Sequence, residues 1–262
     1  MTDVEILIER LNKQEKLVCL LAPSFPIMFD YPSIVGKLKR LGFNYVLEVS
    51  QGAAVTNSQV LVKLAGNPKG RFITDPCPVI VGLVGKKYPQ LAKYLTMVDS
   101  PMIATAKLAK EKYPEAGLVF IGPCLAKKTE AKSRYPQLNL LVLTFKEIKQ
   151  VFDQKEIKDE PADSEANFDL EWSPTRLYPL SGGLVQSCGV GQVLSEDQIA
   201  QISGPNLAEE MLAKFETDDK IKLLDILYCE AGCIGGPGID SPLSNDQRRQ
   251  KVIDFWEKGI KS

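Results

Sequence analysis

The stretch Tyr228-Cys229-Glu230-Ala231-Gly232-Cys233-Ile234-Gly235-Gly236-Pro237-Gly238 decides how this chain is read. Just before it, Ile221-Lys222-Leu223-Leu224-Asp225-Ile226-Leu227 is an apolar run of strand length. A buried strand that ends in a Cys-x-x-x-Cys turn aims two thiols from a rigid element at one place. The glycines that follow forbid a continuing strand or helix and mark a tight, irregular loop. Such a turn suits a metal cluster better than a hydrophobic core, and it asks the rest of the chain for further ligands.

Composition narrows what those ligands can be. The chain has 262 residues and no histidine, which excludes Ser-His-Asp and Cys-His catalysis and histidine-ligated zinc. Any metal must therefore be held by thiolate or carboxylate. A net charge of −1 favours neither nucleic acid nor an anionic membrane. The N-terminal residues 1–16 alternate apolar and charged side chains, as an amphipathic helix does and a signal peptide does not. A cytoplasmic location is expected, so the six cysteines point to metal or redox use over disulfides.

Outward from the opening stretch, short apolar runs alternate with helical patterns. Strands are expected at residues 17–21, 45–49, 71–74, 118–121, 140–143 and 221–227. Helices are expected at 33–41, 56–65, 79–87, 90–97, 101–113, 146–152, 196–202, 207–215 and 245–258, with a further turn into a helix at Ser181-Gly182-Gly183. Polar, acidic residues 154–171 read as an exposed insertion. This alternation predicts an α/β fold with mostly parallel sheets flanked by helices, formed by residues 17–262. In parallel sheets the functional loops lie at the carboxyl ends of the strands. Cys77, Cys124 and Cys229 all fall there.

Cys77 lies between two prolines and Cys124 follows Gly122-Pro123. With Cys229 and Cys233 they make four thiols in turn-rich settings, a donor set for tetrahedral zinc or a 4Fe–4S cluster. Structural zinc usually takes its cysteines in close pairs of Cys-x-x-Cys type, which this chain lacks. Cys19, inside an apolar run, reads as core, and so in the main does Cys188.

These loops carry a resemblance. Phe72-Ile73-Thr74-Asp75-Pro76-Cys77-Pro78, Gly122-Pro123-Cys124-Leu125-Ala126-Lys127-Lys128-Thr129-Glu130 and Cys229 to Gly236 resemble, in order, the three cysteine signatures of the H-cluster domain of iron-only (FeFe) hydrogenases. Ala22-Pro23-Ser24, Tyr88-Pro89, Ser100-Pro101 and Ser181-Gly182-Gly183 extend the match from about residue 17 to the C-terminus. The resemblance implies two lobes with a cofactor between them. Cys77, Cys124, Cys229 and Cys233 would bind a 4Fe–4S subcluster. Cys233 would bridge it to a diiron subcluster carrying CO, cyanide and a dithiolate. Lys127 would donate to a cyanide, and Ala22, Pro23, Ser24, Ser100, Gly122, Pro123 and Leu227 would line the diiron pocket. The glycines after Cys233 would let backbone approach the cofactor.

The departures are as informative. Active members of that family carry a second cysteine directly before the first cluster cysteine, and its thiol relays protons. Here the position is Pro76, which has nothing to titrate. The segment Ala54-Val55-Thr56-Asn57-Ser58-Gln59-Val60 lacks the relay carboxylates usual downstream. Losing general acid–base help costs roughly 10²–10⁴-fold in rate. The expected activity is slow hydrogen oxidation or proton reduction, or hydrogen sensing. The alternative is a chain that holds only the 4Fe–4S cluster and serves iron–sulfur assembly or structure. Expected partners are a ferredoxin or fused cluster domain as electron donor or acceptor, H-cluster maturation proteins, and a signalling domain.

Overall fold

A computed structural model describes residues 1–261. Two parallel sheets carry the architecture. The first has the order β2-β1-β4-β5, built from β1 (Leu17–Leu21), β2 (Tyr45–Glu48), β4 (Gly117–Gly122) and β5 (Leu141–Thr144). The second has the order β3-β7-β6, built from β3 (Phe72–Ile73), β6 (Ile199–Ser203) and β7 (Leu223–Leu227). Central strands β1 and β7 are buried along their whole length, as parallel strands covered on both faces require. Cys19 is fully buried within β1, in the core as expected.

Helices α2 (Ser33–Leu41), α3 (Ser50–Gly66), α4 (Pro78–Lys87), α5 (Pro101–Lys112), α7 (Phe145–Gln154), α8 (Gly183–Cys188), α9 (Pro205–Lys214) and α10 (Asn245–Lys261) make the crossovers and cover the sheets. Several boundaries follow local chemistry. Gly42 takes φ +123° and ends α2. The Ser100 hydroxyl accepts from the Ile103 amide and caps α5, with Pro101 in the first turn. The amphipathic N-terminal helix α1 (Asp3–Asn12) opens on a reciprocal capping box between Thr2 and Glu5, and Asp3 pairs with Lys128 at 2.7 Å.

Three sequence expectations change. Residues 196–202 do not form a helix: a single 3-10 turn at Glu196–Gln198 leads into β6, which pairs with β7 from Ile199↔Leu223 to Ser203↔Leu227. Its short Ile-Ala-Gln-Ile-Ser run is only half buried, so it shows no continuous apolar signal. Residues 90–97 hold a 3-10 segment at Pro89–Tyr94 instead of an α-helix. The acidic segment 154–171 is not simply exposed. Asp163 is buried under a two-pronged Arg40 contact at 2.8 and 2.9 Å, Phe168 stacks on Tyr31, and Leu170 bridges to Leu47 beside β2. A polar sequence is held here because its charges are paired.

One buried ion pair ties the first sheet to the C-terminal helix. Glu48, at the end of β2, receives Arg176 at 2.9 Å, and Arg176 lies over the Phe255 ring of α10 at 3.9 Å. Burial pushes the Glu48 carboxyl up, and Arg176 works against that shift. Arg176→Ala should cost about 3–5 kcal/mol in urea unfolding, because it leaves a buried carboxylate without its partner. The double variant Glu48→Leu/Arg176→Met should recover most of that loss.

Candidate metal and cofactor site

Both sheets direct their carboxyl ends at one cavity. The register Ile73↔Leu224 sets β3 beside β7, so the loops carrying Cys77 and Cys229 leave neighbouring strands in the same direction. In the other sheet, β4 delivers Pro123 and Cys124 next to the Ala22-Pro23-Ser24 turn that leaves β1. Cys77 is the N-cap of α4, with Pro78 in the first turn. Cys124 stands before the short helix α6 (Ala126–Thr129); burial pushes its thiol up, with the Lys127 charge and the Ala126 and Lys127 amides working against that shift.

The Cys-x-x-x-Cys turn is built from unusual backbone. Ala231 and Gly232 both take positive φ, +57° and +93°. A non-glycine residue there stores strain, and such strain clusters at functional loops. The turn is fastened from outside: the Cys233 amide donates to the Pro179 carbonyl at 2.7 Å, and Gly232 bridges to Leu180. The following glycines serve protein packing. A Cβ on Gly236 would stand 2.6 Å from the Pro123 carbonyl oxygen, and one on Gly238 would stand 2.8 Å from it. They press the third cysteine loop onto the second, which brings Cys233 toward Cys124. This corrects the expectation that they face a cofactor.

The four thiols sense one another. Burial pushes the Cys229 thiol up to about 11, and negative charge on Cys77 and Cys124 adds to that. Burial also pushes Cys233 upward, helped by Cys77, Cys124 and Cys229 and opposed by Lys127. Mutually repelling thiolates in a buried place need a positively charged centre to stay ionised together. Among the described residues, no three Cys, Asp or Glu side chains close on one point as a single ion requires.

The cavity itself measures about 80 Å³, more than the roughly 10–15 Å³ that one water needs. Of the expected lining residues, Ala22, Pro23, Ser24, Pro123 and Leu227 are there, together with Cys124, Lys127 and Cys233. Ser100 and Gly122 are not. The Ser100 hydroxyl is engaged in capping α5, and the Phe120 ring covers Gly122. Met102, Phe120, Tyr178 and Pro179 also stand in its walls, and neither Phe120 nor Tyr178 was marked by a sequence motif. Pro76 also lines the cavity, so the residue without a titratable group faces the space where a relay would act.

Lys127 is the cavity's cation. It is mostly buried, donates to the Pro76 carbonyl at 2.9 Å and pairs with buried Glu130 at 2.6 Å. A lysine has three N–H donors, so one remains for an anionic group in the cavity. Cys188, by contrast, does not line the cavity; it ends α8 in the core beside Tyr178 and Leu184.

The glycine packing gives a direct test. Gly236→Ala should lower stability by about 1–3 kcal/mol through overpacking against backbone. Gly82→Ala, in an exposed turn of α4 with open space around it, should raise stability by about 0.5–1 kcal/mol. Thermal unfolding of both variants checks the pair.

Comparison with known proteins agrees with this architecture. The family model described as the iron-only hydrogenase large subunit, C-terminal domain, matches residues 15–237. The NADP-reducing hydrogenase subunit HndD of Solidesulfovibrio fructosivorans is 24% identical over 268 aligned positions, covering 79% of this chain and 46% of that protein. The chain thus spans about half the length of this curated relative. A variant of the [FeFe]-hydrogenase HydA1 from Chlamydomonas reinhardtii superposes with a TM-score of 0.73 at 20% identity, covering 98% of this chain and 88% of that one. A structure describing stepwise [FeFe]-hydrogenase H-cluster assembly superposes with a TM-score of 0.72 over the same shares, also at 20% identity. At such identities these likenesses speak for the fold. Three cysteine loops in family order, two parallel sheets opening on one cavity and a family match over most of the sequence place this chain in one family, that of the C-terminal domain of iron-only hydrogenase large subunits.

Proposed function

We propose that this chain is an H-cluster-binding hydrogenase-like domain that turns over slowly or senses hydrogen. The observation that carries the reading is a cavity lined by Cys233, Cys124 and Lys127, with mostly apolar walls. Cys77, Cys124, Cys229 and Cys233 would hold the 4Fe–4S subcluster, and their mutual charge effects fit a polynuclear centre. The cavity beside Cys233 would take the diiron subcluster. When bound, that group supplies the redox chemistry and an open iron site for hydrogen.

The chain's own residues then have separable tasks. Lys127, fixed by Glu130 and the Pro76 carbonyl, keeps one N–H for an anionic ligand such as cyanide, a charge-assisted contact in a desolvated place. Ala22, Pro23, Met102, Phe120 and Leu227 exclude water. Pro76 carries no proton, so the short route from cavity to solvent at that position is closed. Slow turnover or sensing follows from that closure. Electrons would be exchanged with a ferredoxin or with a cluster domain outside this chain, and loading would need maturation proteins. Within the described residues no helix is long and apolar enough to cross a membrane.

One observation favours a second reading. The Lys127–Glu130 pair is complete without any cofactor, as it would be in a protein that holds only the 4Fe–4S cluster for assembly or structure.

Loading the cluster-bearing chain with a synthetic diiron cofactor should produce infrared bands of metal-bound CO and cyanide, and Lys127→Ala should weaken or shift the cyanide bands. Iron and sulfide for one 4Fe–4S cluster with no such bands would favour the second reading. Pro76→Cys should raise hydrogen turnover, up to the roughly 10²–10⁴-fold that a positioned acid–base group supplies. No gain would contradict the assignment of slowness to position 76.

A further inference from the structure

Behind the cavity wall lies a buried polar row that none of the cofactor-binding residues uses. Side chains two apart on a strand share a face. On β7, Leu227 lines the cavity, Asp225 is the next side chain back on that face, and Leu223 follows in the core with Tyr178 and Cys188. Asp225 is buried, and its Oδ1 accepts from the Thr74 hydroxyl at 3.3 Å. Among the described residues, its Oδ2, the Tyr178 hydroxyl and the Asn57 Oδ1 are all buried without a hydrogen-bond partner. Tyr178 stands in the cavity wall itself, only 8% exposed. Buried polar atoms are nearly always satisfied, and several orphans in one region mark a place for bound water and mobile protons.

The row continues between α8 and α3. The Cys188 thiol donates to the Asn57 backbone carbonyl at 3.5 Å, and the Asn57 side-chain amide donates to the Ser187 hydroxyl at 3.1 Å. Ser187 is half-buried, where α8 meets α3. We propose that Asp225 is a buried proton store for the cavity, linked to the Tyr178 hydroxyl through bound water. It rests on the reading that a redox centre occupies the site.

The charge logic fits such a store. Burial pushes the Asp225 carboxyl up to about 6, against the Val185 amide and the Thr74 hydroxyl, which hold it down. The groups that face it are Thr74 at the end of β3, Val185 and Cys188 on α8, and Tyr178 on the 178–180 turn. Tyr178 also feels Asp75 and Cys233, and Arg134 acts on Asp75. In the neutral range Asp225 is an ionised carboxylate able to accept. When an external donor reduces the bound centre by one electron, one proton would pass from hydronium to Asp225, breaking an O–H bond there and forming one on the carboxylate oxygen, which neutralises its charge. Reoxidation would return that proton to water.

Two measurements test this. Infrared titration of the chain should show a buried carboxylic acid band that disappears with a midpoint near pH 6 and is missing in Asp225→Asn. In the cluster-loaded chain, the reduction potential should fall as pH rises above about 6, because reduction strengthens proton uptake. Asp225→Asn should flatten that dependence. Tyr178→Phe should leave the carboxyl band in place and slow the pH-linked response of the CO bands after diiron loading. A carboxyl band lost near pH 4, or a cluster potential whose pH dependence survives Asp225→Asn, overturns the proposal alone. A chain that takes up no iron overturns the proposed function and this store together.

Discussion

The parallel pairing of β3 with β7 is the constraint on which the site depends. It is only two residues long on the β3 side, Phe72↔Leu223 and Ile73↔Leu224, yet it fixes where two of the three cysteine loops begin. A slip of one residue would turn the side chains of β7 to the opposite face. Leu227 and Asp225 would then leave the cavity side, and Cys229 would depart from the sheet in another direction. The pairing is reinforced beyond the strand by the Thr74 amide on the Leu224 carbonyl at 2.9 Å and by the Ile226 amide on the Thr74 hydroxyl at 3.2 Å. The second lobe meets this one through contacts that only glycine permits, Gly236 and Gly238 against Pro123.

Much of this was legible in the sequence because it rests on local patterns. Apolar runs marked β1, β4, β5 and β7, and turn-rich flanks separated the four loop cysteines from Cys19 in its strand. What stayed hidden was settled by tertiary packing. Strand β6 carries no continuous apolar run because it is an edge strand, half solvated, whose identity comes from its partner β7. The acidic segment 154–171 looked solvated, yet Arg40 and the edge of β2 give its charges and backbone partners far away in sequence. Ser100 resembled a cavity residue by its motif, but its hydroxyl is spent on a helix cap. Tyr178 had no motif to announce it, and only the fold brings it to the cavity wall.

The site divides into a complete part and an altered part. The four loop cysteines, Lys127 and the mostly apolar walls would suit the anionic metal centre proposed above. Position 76 departs from it, contributing a carbonyl to Lys127 and no proton to the cavity. Proline also fixes the backbone ahead of Cys77, so the substitution holds the cysteine while removing the relay. Under the proposed function, binding and proton transfer would be uncoupled in this chain.

Every role assigned to the cavity depends on the four thiols acting as one ligand set. Mössbauer spectroscopy with iron and sulfide analysis of the anaerobically reconstituted chain tests that most directly. The predicted result is a single 4Fe–4S cluster per chain, lost or converted to a smaller species in each of Cys77→Ala, Cys124→Ala, Cys229→Ala and Cys233→Ala. Iron bound as a mononuclear thiolate site, or a cluster that survives these substitutions unchanged, would contradict it.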